Sequence, residues 1–474
     1  MMVEQINWLA EVNKQKDSII QTTQELLKIK SILDEENTSK EFPFGENVAQ
    51  ALHYLLNKGS EDGFQSKNVD NYAGHIEFGE GEESVGVLCH VDVVPEGSGW
   101  SSDPFGAEIR DGKIYARGAI DDKGPTIAAY YAMKIVKELS LPLSRRVRMI
   151  IGTDEESNWR CVEHYFKHEE MPTMGFAPDA DFPIIYAEKG IADIHIIKKK
   201  NQNQISSQND IVLDSFQSGS RFNMVPEFAE AKLTIKGDAE QILQHFDSFK
   251  SENKLQGKGY VENTDIILQL EGKSAHGSLP HLGINAGIHL LSFLKKIQLD
   301  EQAQAFVRFV TDYFEEDTKG KALHVQFEDD ITGELTINAG ILSYHCNGES
   351  KIGINVRYPV TNDFEKTKSS IEAACEKYDM TVQIVSHMEP NHVDKDHELI
   401  KTLQRVYQEQ TGEDATLLSI GGGTYARSLE AGVAFGPLFP GREETAHQKD
   451  EYIIIDDLLK ATAIYAQAIY ELAQ

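Results

Sequence analysis

The stretch Val85-Gly-Val-Leu-Cys-His-Val-Asp92 joins an apolar run to two side chains that can bind a metal ion. The stretch Val147-Arg-Met-Ile-Ile-Gly-Thr-Asp-Glu-Glu156 has the same form. Apolar runs of this length indicate buried strands, and ligands of open α/β sheets collect beyond the carboxyl ends of such strands. We therefore expect the polar residues that follow the two runs to lie at one edge of a sheet.

Three more clusters of acidic residues or histidine occur along the chain, at Asp121-Asp122, Pro178-Asp179 and Ala446-His447. Carboxylates and imidazoles gathered at one edge would repel or desolvate one another without a compensating cation. Each cluster alone has an ordinary explanation, such as a turn or a solvated face, but their joint occurrence favours a divalent metal site. The number of ligands suits two metal ions, with three ligands each and Asp121 shared.

The residue types predict distinct tasks. His90 suits zinc, and also manganese or cobalt. Asp92 lies two residues further on, where it can accept the other imidazole N–H. Asp121 has two carboxylate oxygens and could bridge two ions. Glu155 and Glu156 are adjacent, so one could bind metal while the other acts as general base toward the reacting water.

The composition argues against several classes of protein. With 474 residues, 40% of them hydrophobic, the chain can bury a large core and is expected to form two or more domains. The formal net charge of −30 argues against nucleic acid and anionic membrane surfaces as partners. Four cysteines make no disulfide framework, and the sequence has no signal-peptide or membrane-span pattern, so we expect a soluble protein of the cytoplasm.

Helix and strand patterns divide the chain into three parts. Residues 1–190 alternate between helical and strand-like runs, residues 191–382 resemble an α+β domain, and residues 383–474 return to an α/β pattern. The expected fold is an α/β domain, with a central sheet flanked by helices, that is interrupted by an α+β domain. Predicted elements include a helix from Ile19 to Leu33, strands from Val85 to Cys89, Lys113 to Ala116 and Val147 to Thr153, and a helix opened by Ser419 to Thr424.

Eight motifs occur along the chain: His90-Val-Asp92-Val-Val-Pro95, Gly118-Ala-Ile-Asp-Asp-Lys-Gly124, Glu155-Glu156, Arg221-Phe-Asn-Met-Val-Pro226, Gly272-Lys-Ser-Ala-His-Gly277, Asn355-Val-Arg-Tyr-Pro-Val360, Ser419-Ile-Gly-Gly-Gly-Thr-Tyr425 and Ala446-His-Gln-Lys-Asp-Glu451. Together they resemble the M20 metallopeptidase family, and within it the bacterial PepV-type, carnosinase-like dipeptidases. The resemblance implies a two-metal, aminopeptidase-like catalytic domain interrupted by a lid domain. By this pattern one ion takes His90, Asp121 and Asp179, and the other takes Asp121, Glu156 and His447.

The resemblance also directs attention to residues of the lid and of the C-terminal motifs. His276 could donate its N–H to the oxyanion, Asn223 could bind the oxyanion or the substrate, and Arg357 could bind the substrate's carboxylate with two hydrogen bonds. The turn Gly421-Gly422-Gly423 could offer backbone N–H groups to an anion. The lid is long enough for two subdomains, so we expect His276 and Arg357 to serve the active site of their own chain, in a monomer.

These features predict a metallodipeptidase with two divalent ions per chain, for which zinc is expected and manganese or cobalt are the alternatives. A water activated by the metals would attack the peptide carbonyl, and Glu155 would carry its proton to the leaving amine. The substrate would be a short peptide with both ends free. The alternatives are an enzyme that hydrolyses N-acyl amino acids and a metal-dependent binding protein without turnover, which would not need Glu155.

Overall fold

The structure is a computed structural model that describes residues 6–199 and 210–474. The chain forms two compact units, and the first unit is built from two pieces of chain. The first piece ends at Ala187, the second piece begins at Asn391, and the second unit runs from Glu188 to Pro390. The return to the first unit comes after the predicted boundary at residue 382, because the strand Thr381–Met388 spans that boundary and pairs inside the second unit.

The first piece of the first unit alternates helices and strands. Its helices are α1 Trp8–Lys14, α2 Lys16–Leu27, α3 Glu46–Glu61, α4 Lys123–Glu138 and α5 Arg160–Tyr165. Its strands are β1 Gln65–Val69, β2 Ala73–Phe78, β3 Ser84–His90, β4 Glu108–Arg110, β5 Lys113–Tyr115, β6 Arg146–Gly152, β7 Met174–Ala177, β8 Ala180–Asp181 and β9 Ile184–Glu188.

The second unit has the helices α6 Ala239–Asn253, α7 Ala286–Leu294, α8 Glu301–Phe314 and α9 Phe364–Glu376. Its strands are β10 Gly190–Lys198, β11 Ile211–Ser218, β12 Phe228–Ile235, β13 Gln256–Glu262, β14 Asp265–Glu271, β15 Glu328–Asp329, β16 Gly333–Glu334, β17 Thr336–His345, β18 Ser350–Tyr358 and β19 Thr381–Met388. The second piece of the first unit adds α10 Glu398–Thr411, α11 Ile455–Ala473, β20 Asn391–His392, β21 Leu417–Ile420, β22 Gly432–Ala434, β23 Pro437–Leu438 and β24 Tyr452–Ile454.

A mixed sheet forms the centre of the first unit. Within the described residues its strand order is β1-β2-β6-β3-β7-β22-β9-β20, with β21 beside β9. The strands β6, β3, β7 and β22 run parallel to one another. The strand β2 is antiparallel to β6, and β1 is antiparallel to β2. Because parallel strands end at the same edge, the residues that follow β3, β6 and β7 meet there.

Helices cover this sheet with their apolar faces. The helix α4 packs on α2, α11 and β3, and Ile127 and Ile464 of the helices share a buried core with Val87 and Met149 of the sheet. Burial of a side chain of this size contributes roughly 1.5–3 kcal/mol, so the core fixes the strand ends firmly. In the described part of the chain, no helix combines the length and the apolar character that a membrane span requires.

The second unit contains one antiparallel sheet, in the order β13-β14-β12-β11-β17-β18-β10-β19 among the described residues. Two halves of four strands meet where β11 pairs with β17. Each half repeats one connection, because α6 joins β12 to the edge strand β13 and α9 joins β18 to the edge strand β19. The predicted fold, an α/β domain interrupted by an α+β domain, is confirmed.

Three predicted elements differ from the structure. The helix predicted to reach Leu33 ends at Leu27, since Ile32 leaves it to form a parallel bridge with Val93. The strand predicted at Lys113 to Ala116 lies outside the central sheet, in a small sheet of β4, β5 and β24. No long helix opens at Ser419 to Thr424, where β21 is instead followed by the short 3-10 helix Tyr425–Ser428.

Candidate active site

His90 is the last residue of β3, and its imidazole is completely buried. Its Nδ1 lies 3.0 Å from the carbonyl oxygen of Asp92. Because a carbonyl oxygen only accepts, Nδ1 carries the proton and Nε2 presents a lone pair. The Nε2 atom lies 3.2 Å from Asp121 Oδ1 and 3.7 Å from Asp179 Oδ2, and in residues 6–199 and 210–474 it has no hydrogen-bond partner. A buried nitrogen of this kind, aimed at two carboxylates, fits a metal ligand.

Asp121 connects two groups of potential metal ligands. In one group, His90, Asp121 and Asp179 each offer an atom within 4.8 Å of the others, and Asp121, Glu156 and His447 do the same in the other group. His447 Nε2 lies 3.0 Å from both Asp121 Oδ2 and Glu156 Oε2. The structure thus brings together the five residues that were predicted as ligands, in two groups that share one carboxylate.

Asp92 holds the turn that carries the two glutamates. Its carboxylate accepts hydrogen bonds from the backbone N–H groups of Glu155, at 3.2 Å, and Glu156, at 3.0 Å. The sequence predicts instead that this carboxylate accepts the imidazole N–H of His90, but it lies 3.5 Å from Nδ1, and the carbonyl oxygen of Asp92 is closer. The two glutamates also lie in a turn beyond β6 rather than on the strand end. Asp92 therefore positions both glutamates through their backbone.

Glu451 positions the loop that contains Asp121, and the sequence interpretation missed this role. The Glu451 side chain is fully buried, and its Oε1 accepts the backbone N–H groups of Ile120, at 2.9 Å, and Asp121, at 3.3 Å. Its Oε2 forms an ion pair of 2.5 Å with buried Arg117. Glu451 ends the motif Ala446-His-Gln-Lys-Asp-Glu451, but Arg117 is 334 residues away in sequence, and no local pattern links the two.

Asp122 is a second residue whose role was not predicted. It is fully buried, and its Oδ2 accepts hydrogen bonds from the backbone N–H of His90 and from the hydroxyl of Thr126, both at 3.1 Å. Burial and the charge of Asp179 raise its pKa well above the ordinary range. Asp122 thus links the start of α4 to the end of β3, where His90 lies.

Three carboxyl groups of the site, those of Glu155, Glu156 and Asp179, have raised pKa values. Burial and neighbouring carboxylates raise the pKa of Glu156 to about 7 and that of Asp179 to about 6, and they raise the pKa of Glu155 well above its ordinary range. Contacts with Asp121 and Glu156 raise the pKa of His447 to about 11. A divalent cation would relieve the repulsion between these carboxylates, so the residues present fit a metal centre.

The turn Gly421-Gly422-Gly423 lies between β21 and the four-residue 3-10 helix. The guanidinium of Arg427 lies against Gly423 and donates to the carbonyl oxygen of Gly422 at 3.3 Å. Tyr425, two residues beyond the turn, is fully buried with its ring 6.1 Å from that of His90. This segment therefore packs beside the ligand groups, although the long helix expected to follow the turn is absent from the described residues.

The second unit brings its three predicted site residues close together. Asn223 and His276 lie in neighbouring loops, which are joined by a bridge between Met224 and His276 and by a hydrogen bond of 2.7 Å from Gly277 N–H to the carbonyl oxygen of Asn223. Arg357 is nearly buried in β18 and donates to Asn355 Oδ1 at 2.7 Å. The partial burial of His276, and to a smaller extent the charge of Arg357, lower the pKa of His276.

The tautomer of His276 follows from its contacts. The backbone N–H of Ser278 donates to His276 Nδ1 at 3.3 Å, and the Ser278 hydroxyl lies 2.7 Å from the same nitrogen. Nδ1 is therefore an acceptor, and the proton of the neutral ring sits on Nε2. With its lowered pKa the ring stays neutral near pH 7, so His276 offers an N–H donor on an exposed side chain.

Most of the chain matches a family model and known proteins. Residues 86–471 match the family model described as peptidase family M20/M25/M40. The chain is 57% identical over 470 residues to the putative dipeptidase YtjP of Bacillus subtilis, which covers 99% of this chain and 100% of that protein. It is 43% identical over 465 residues to the putative dipeptidase SH1171 of Staphylococcus haemolyticus, covering 98% and 99% of the two chains.

Solved structures share the fold at low sequence identity. Human carnosine dipeptidase 1 matches with a TM-score of 0.56 and 16% identity, covering 98% of each chain. Aminoacylhistidine dipeptidase from Vibrio alginolyticus matches with a TM-score of 0.58 and 14% identity, covering 96% of this chain and 97% of that one. The family predicted from the motifs is confirmed. This chain belongs to peptidase family M20/M25/M40, and it is a hydrolase of peptide bonds.

Proposed function

We propose that this protein hydrolyses the peptide bond of dipeptides and requires divalent metal ions to do so. The observation that carries the proposal is the meeting of two ligand groups at Asp121, next to the turn that presents Glu155. Relatives that are 57% and 43% identical over nearly the whole chain bear the name putative dipeptidase. A binding protein without turnover would have no need of a partly buried carboxylate such as Glu155 beside the ligand groups.

Two divalent ions are the proposed cofactors. His90, Asp121 and Asp179 would hold one, and Asp121, Glu156 and His447 would hold the other. Imidazole and carboxylate donors suit zinc, and also manganese or cobalt. When bound, such ions supply Lewis acidity and lower the pKa of water.

Glu155 is the proposed proton carrier. It takes a proton from the attacking water, and its raised pKa suits a group that must first accept this proton and then give it to the leaving amine. Asp92 holds the backbone of Glu155 and Glu156 at the same time. One carboxylate can therefore face the reacting water while its neighbour faces the metal.

Residues of the second unit are proposed to recognise the substrate. His276 offers an Nε2–H that can donate to an oxyanion, and Asn223 offers an amide to the same end of the substrate. Arg357 carries a planar cation suited to a terminal carboxylate. The backbone N–H groups of Gly421-Gly422-Gly423 are a further proposed donor set for that carboxylate. A requirement for a free carboxylate would favour short peptides.

A matched substrate series tests the function. Metal-reconstituted protein would be assayed on one dipeptide, its N-acetylated form, its C-terminal amide, the tripeptide extended by one residue, and an N-acetyl amino acid. We expect kcat/KM to be highest for the dipeptide and at least about tenfold lower for the others, since each loses an interaction worth about 1.4 kcal/mol or more. Preferential cleavage of the N-acetyl amino acid would instead identify an amidohydrolase, and no turnover of any substrate would contradict catalysis.

A further inference from the structure

A second set of potential metal ligands lies in the first unit and shares no residue with the ligand groups that meet at Asp121. Asp70, His164 and His168 each offer one donor atom within 4.8 Å of the others. Asp70 belongs to the turn between β1 and β2, and His164 to α5, with His168 four residues further on. Two histidines at this spacing lie on one face of a helical turn.

The turn that presents Asp70 is held in one conformation. Asp70 and Asn71 have φ values of 53° and 58°, and the N–H of Tyr72 donates to the carbonyl oxygen of Val69 at 3.0 Å. Positive φ at both central residues is the pattern of a type I′ hairpin turn. Asn71 is further fixed by its backbone N–H, which donates to Asn68 Oδ1 at 2.8 Å. Asp70 is therefore presented from a rigid turn.

The two imidazoles are also oriented by their surroundings. The ring of His164 stacks on Tyr72, with centroids 4.2 Å apart, and lies 4.4 Å from the ring of His168. His168 Nδ1 lies 2.9 Å from the carbonyl oxygen of His164, so Nδ1 carries the proton and Nε2 has a free lone pair. A backbone carbonyl that accepts the other ring N–H is the usual support of a metal-bound histidine.

We propose that Asp70, His164 and His168 form a further binding site for a transition-metal dication such as Zn²⁺. One carboxylate and two imidazoles suit zinc, nickel or copper, whereas calcium and magnesium prefer oxygen ligands alone. Two ligand atoms of a tetrahedral zinc ion lie roughly 3.3 Å apart, and His164 Nε2 already lies 2.9 Å from Asp70 Oδ2. The ion takes the place of the hydrogen between these two atoms, the neutral ring of His164 then carries its proton on Nδ1, and water fills the remaining position.

An ion at this site would connect two segments that are far apart in sequence. It would tie the β1–β2 turn to the end of α5, the helix that follows the Glu155–Glu156 turn. The same β1–β2 turn is bonded to the end of β6, because the hydroxyl of Thr153 donates to the carbonyl oxygen of Tyr72. Occupancy would therefore stabilise the first unit next to the catalytic turn without contributing a ligand to the reaction. The proposal does not depend on dipeptides being the substrate.

The test compares zinc stoichiometry in matched full-length variants. Wild type, His168→Gln and Asp70→Asn would be stripped with a chelator, dialysed against a series of Zn²⁺ concentrations, and analysed for bound zinc. His168 and Asp70 are exposed, so both variants should fold. We expect each to bind one zinc fewer per chain than wild type where wild type is saturated. Affinity at the lost site should fall more than about 100-fold, since loss of a supporting hydrogen bond alone costs roughly 10–100-fold.

His245→Gln is the matched control, because His245 is also exposed but lies in the second unit, outside the cluster. It should bind as many zinc ions as wild type. In His168→Gln, peptide hydrolysis at zinc concentrations that fill only the tighter sites should stay at the wild-type rate, which shows that the ion lost is not a catalytic one. The proposal is overturned if both cluster variants bind as much zinc as wild type, or if the His245→Gln control loses an ion as well.

Discussion

Glu155 and Glu156 are neighbours in one turn, yet we assign them different tasks. We expect Glu155→Gln to lower kcat by roughly 10²–10⁴-fold while metal content stays at the wild-type level, because proton transfer is lost and the ligands remain. Glu156→Gln should instead lose metal from the group that contains His447. Steady-state kinetics and elemental analysis on the same preparations measure both effects. A Glu155→Gln protein with nearly normal kcat would show that another residue carries the proton.

A substitution at Glu451 tests whether the residues that hold the Asp121 loop contribute to stability and metal affinity. In Glu451→Gln the buried guanidinium of Arg117 loses its counter-charge, and breaking one side of a buried pair costs about 3–5 kcal/mol. We expect the free energy of unfolding at pH 8 to fall by that amount and metal affinity to fall with it. Glu80→Gln is the control, because Glu80 is exposed and its change should stay within about 0.5 kcal/mol. Equal stability of the two variants would contradict the role.

The clustered carboxylates predict an unusual pH dependence for the metal-free protein. Glu156 and Asp179 have pKa values raised to about 7 and about 6 in the folded state, so at these two groups the folded state binds more protons than the unfolded one between pH 8 and pH 5. They therefore raise the free energy of unfolding as the pH falls through this window, whereas His75, whose pKa burial lowers to about 4, acts against them below about pH 6.5. The interaction of His447 with Asp121 and Glu156 raises the pKa of His447 to about 11 and acts in the same direction. Its contribution to the free energy of unfolding is complete below about pH 6.5 and fades above that pH.

Denaturant unfolding with and without chelator, at pH 8, 7, 6 and 5.5, measures this dependence. Metal-loaded protein should show the opposite trend, because protons compete with the ions for the same ligands. The double variant Glu156→Gln with His447→Gln should flatten the slope of the metal-free protein. A metal-free protein whose stability falls steadily from pH 8 to pH 5.5 would contradict the prediction.

Single elements show how far the sequence predicts this fold. The strands β3 and β6 lie within one residue of their predicted bounds, because strands buried on both faces read as continuous apolar runs. The predicted end of α2, at Leu33, is wrong by six residues. The apolar residues keep their helical spacing past Leu27, although Ile32 pairs with Val93. Such a contact depends on residues far away in sequence. The five proposed ligands lie in local motifs, so their grouping could be predicted from the sequence. The ion pair between Arg117 and Glu451 joins residues 334 positions apart and could not be predicted.

The loop that carries His276 offers a test at the scale of an element. A Cβ at Gly277 would lie 2.8 Å from Asn223 Cα and 2.9 Å from its carbonyl carbon, so Gly277→Ala must push the two loops apart. We expect kcat/KM to fall by about 10–100-fold with little loss of metal, because small displacements of reacting groups are costly. Gly237→Ala is the control, since nothing lies within 4 Å of its Cβ. Wild-type kinetics in Gly277→Ala would remove this loop from the proposed reaction.

For the whole molecule, we propose that His276 and Arg357 act on substrate bound by their own chain and that the protein works as a monomer. The second unit supports this proposal because its sheet already contains two similar halves within one chain. The test mixes His276→Ala with Glu155→Ala at concentrations where any dimer would exchange. We expect no recovery of activity. Recovery toward one quarter or more of the wild-type rate would mean that chains share their active sites.

The interrupted first unit also separates its ligands in time. Glu156 and His447 are 291 residues apart, which a ribosome adding about 5–20 residues per second takes roughly 15–60 s to synthesise. For most of that interval the nascent chain contains His90, Asp121 and Asp179 but still lacks His447 and the helix α11. Under the proposed assignment, a growing chain cannot attack peptides in its surroundings until translation is almost complete.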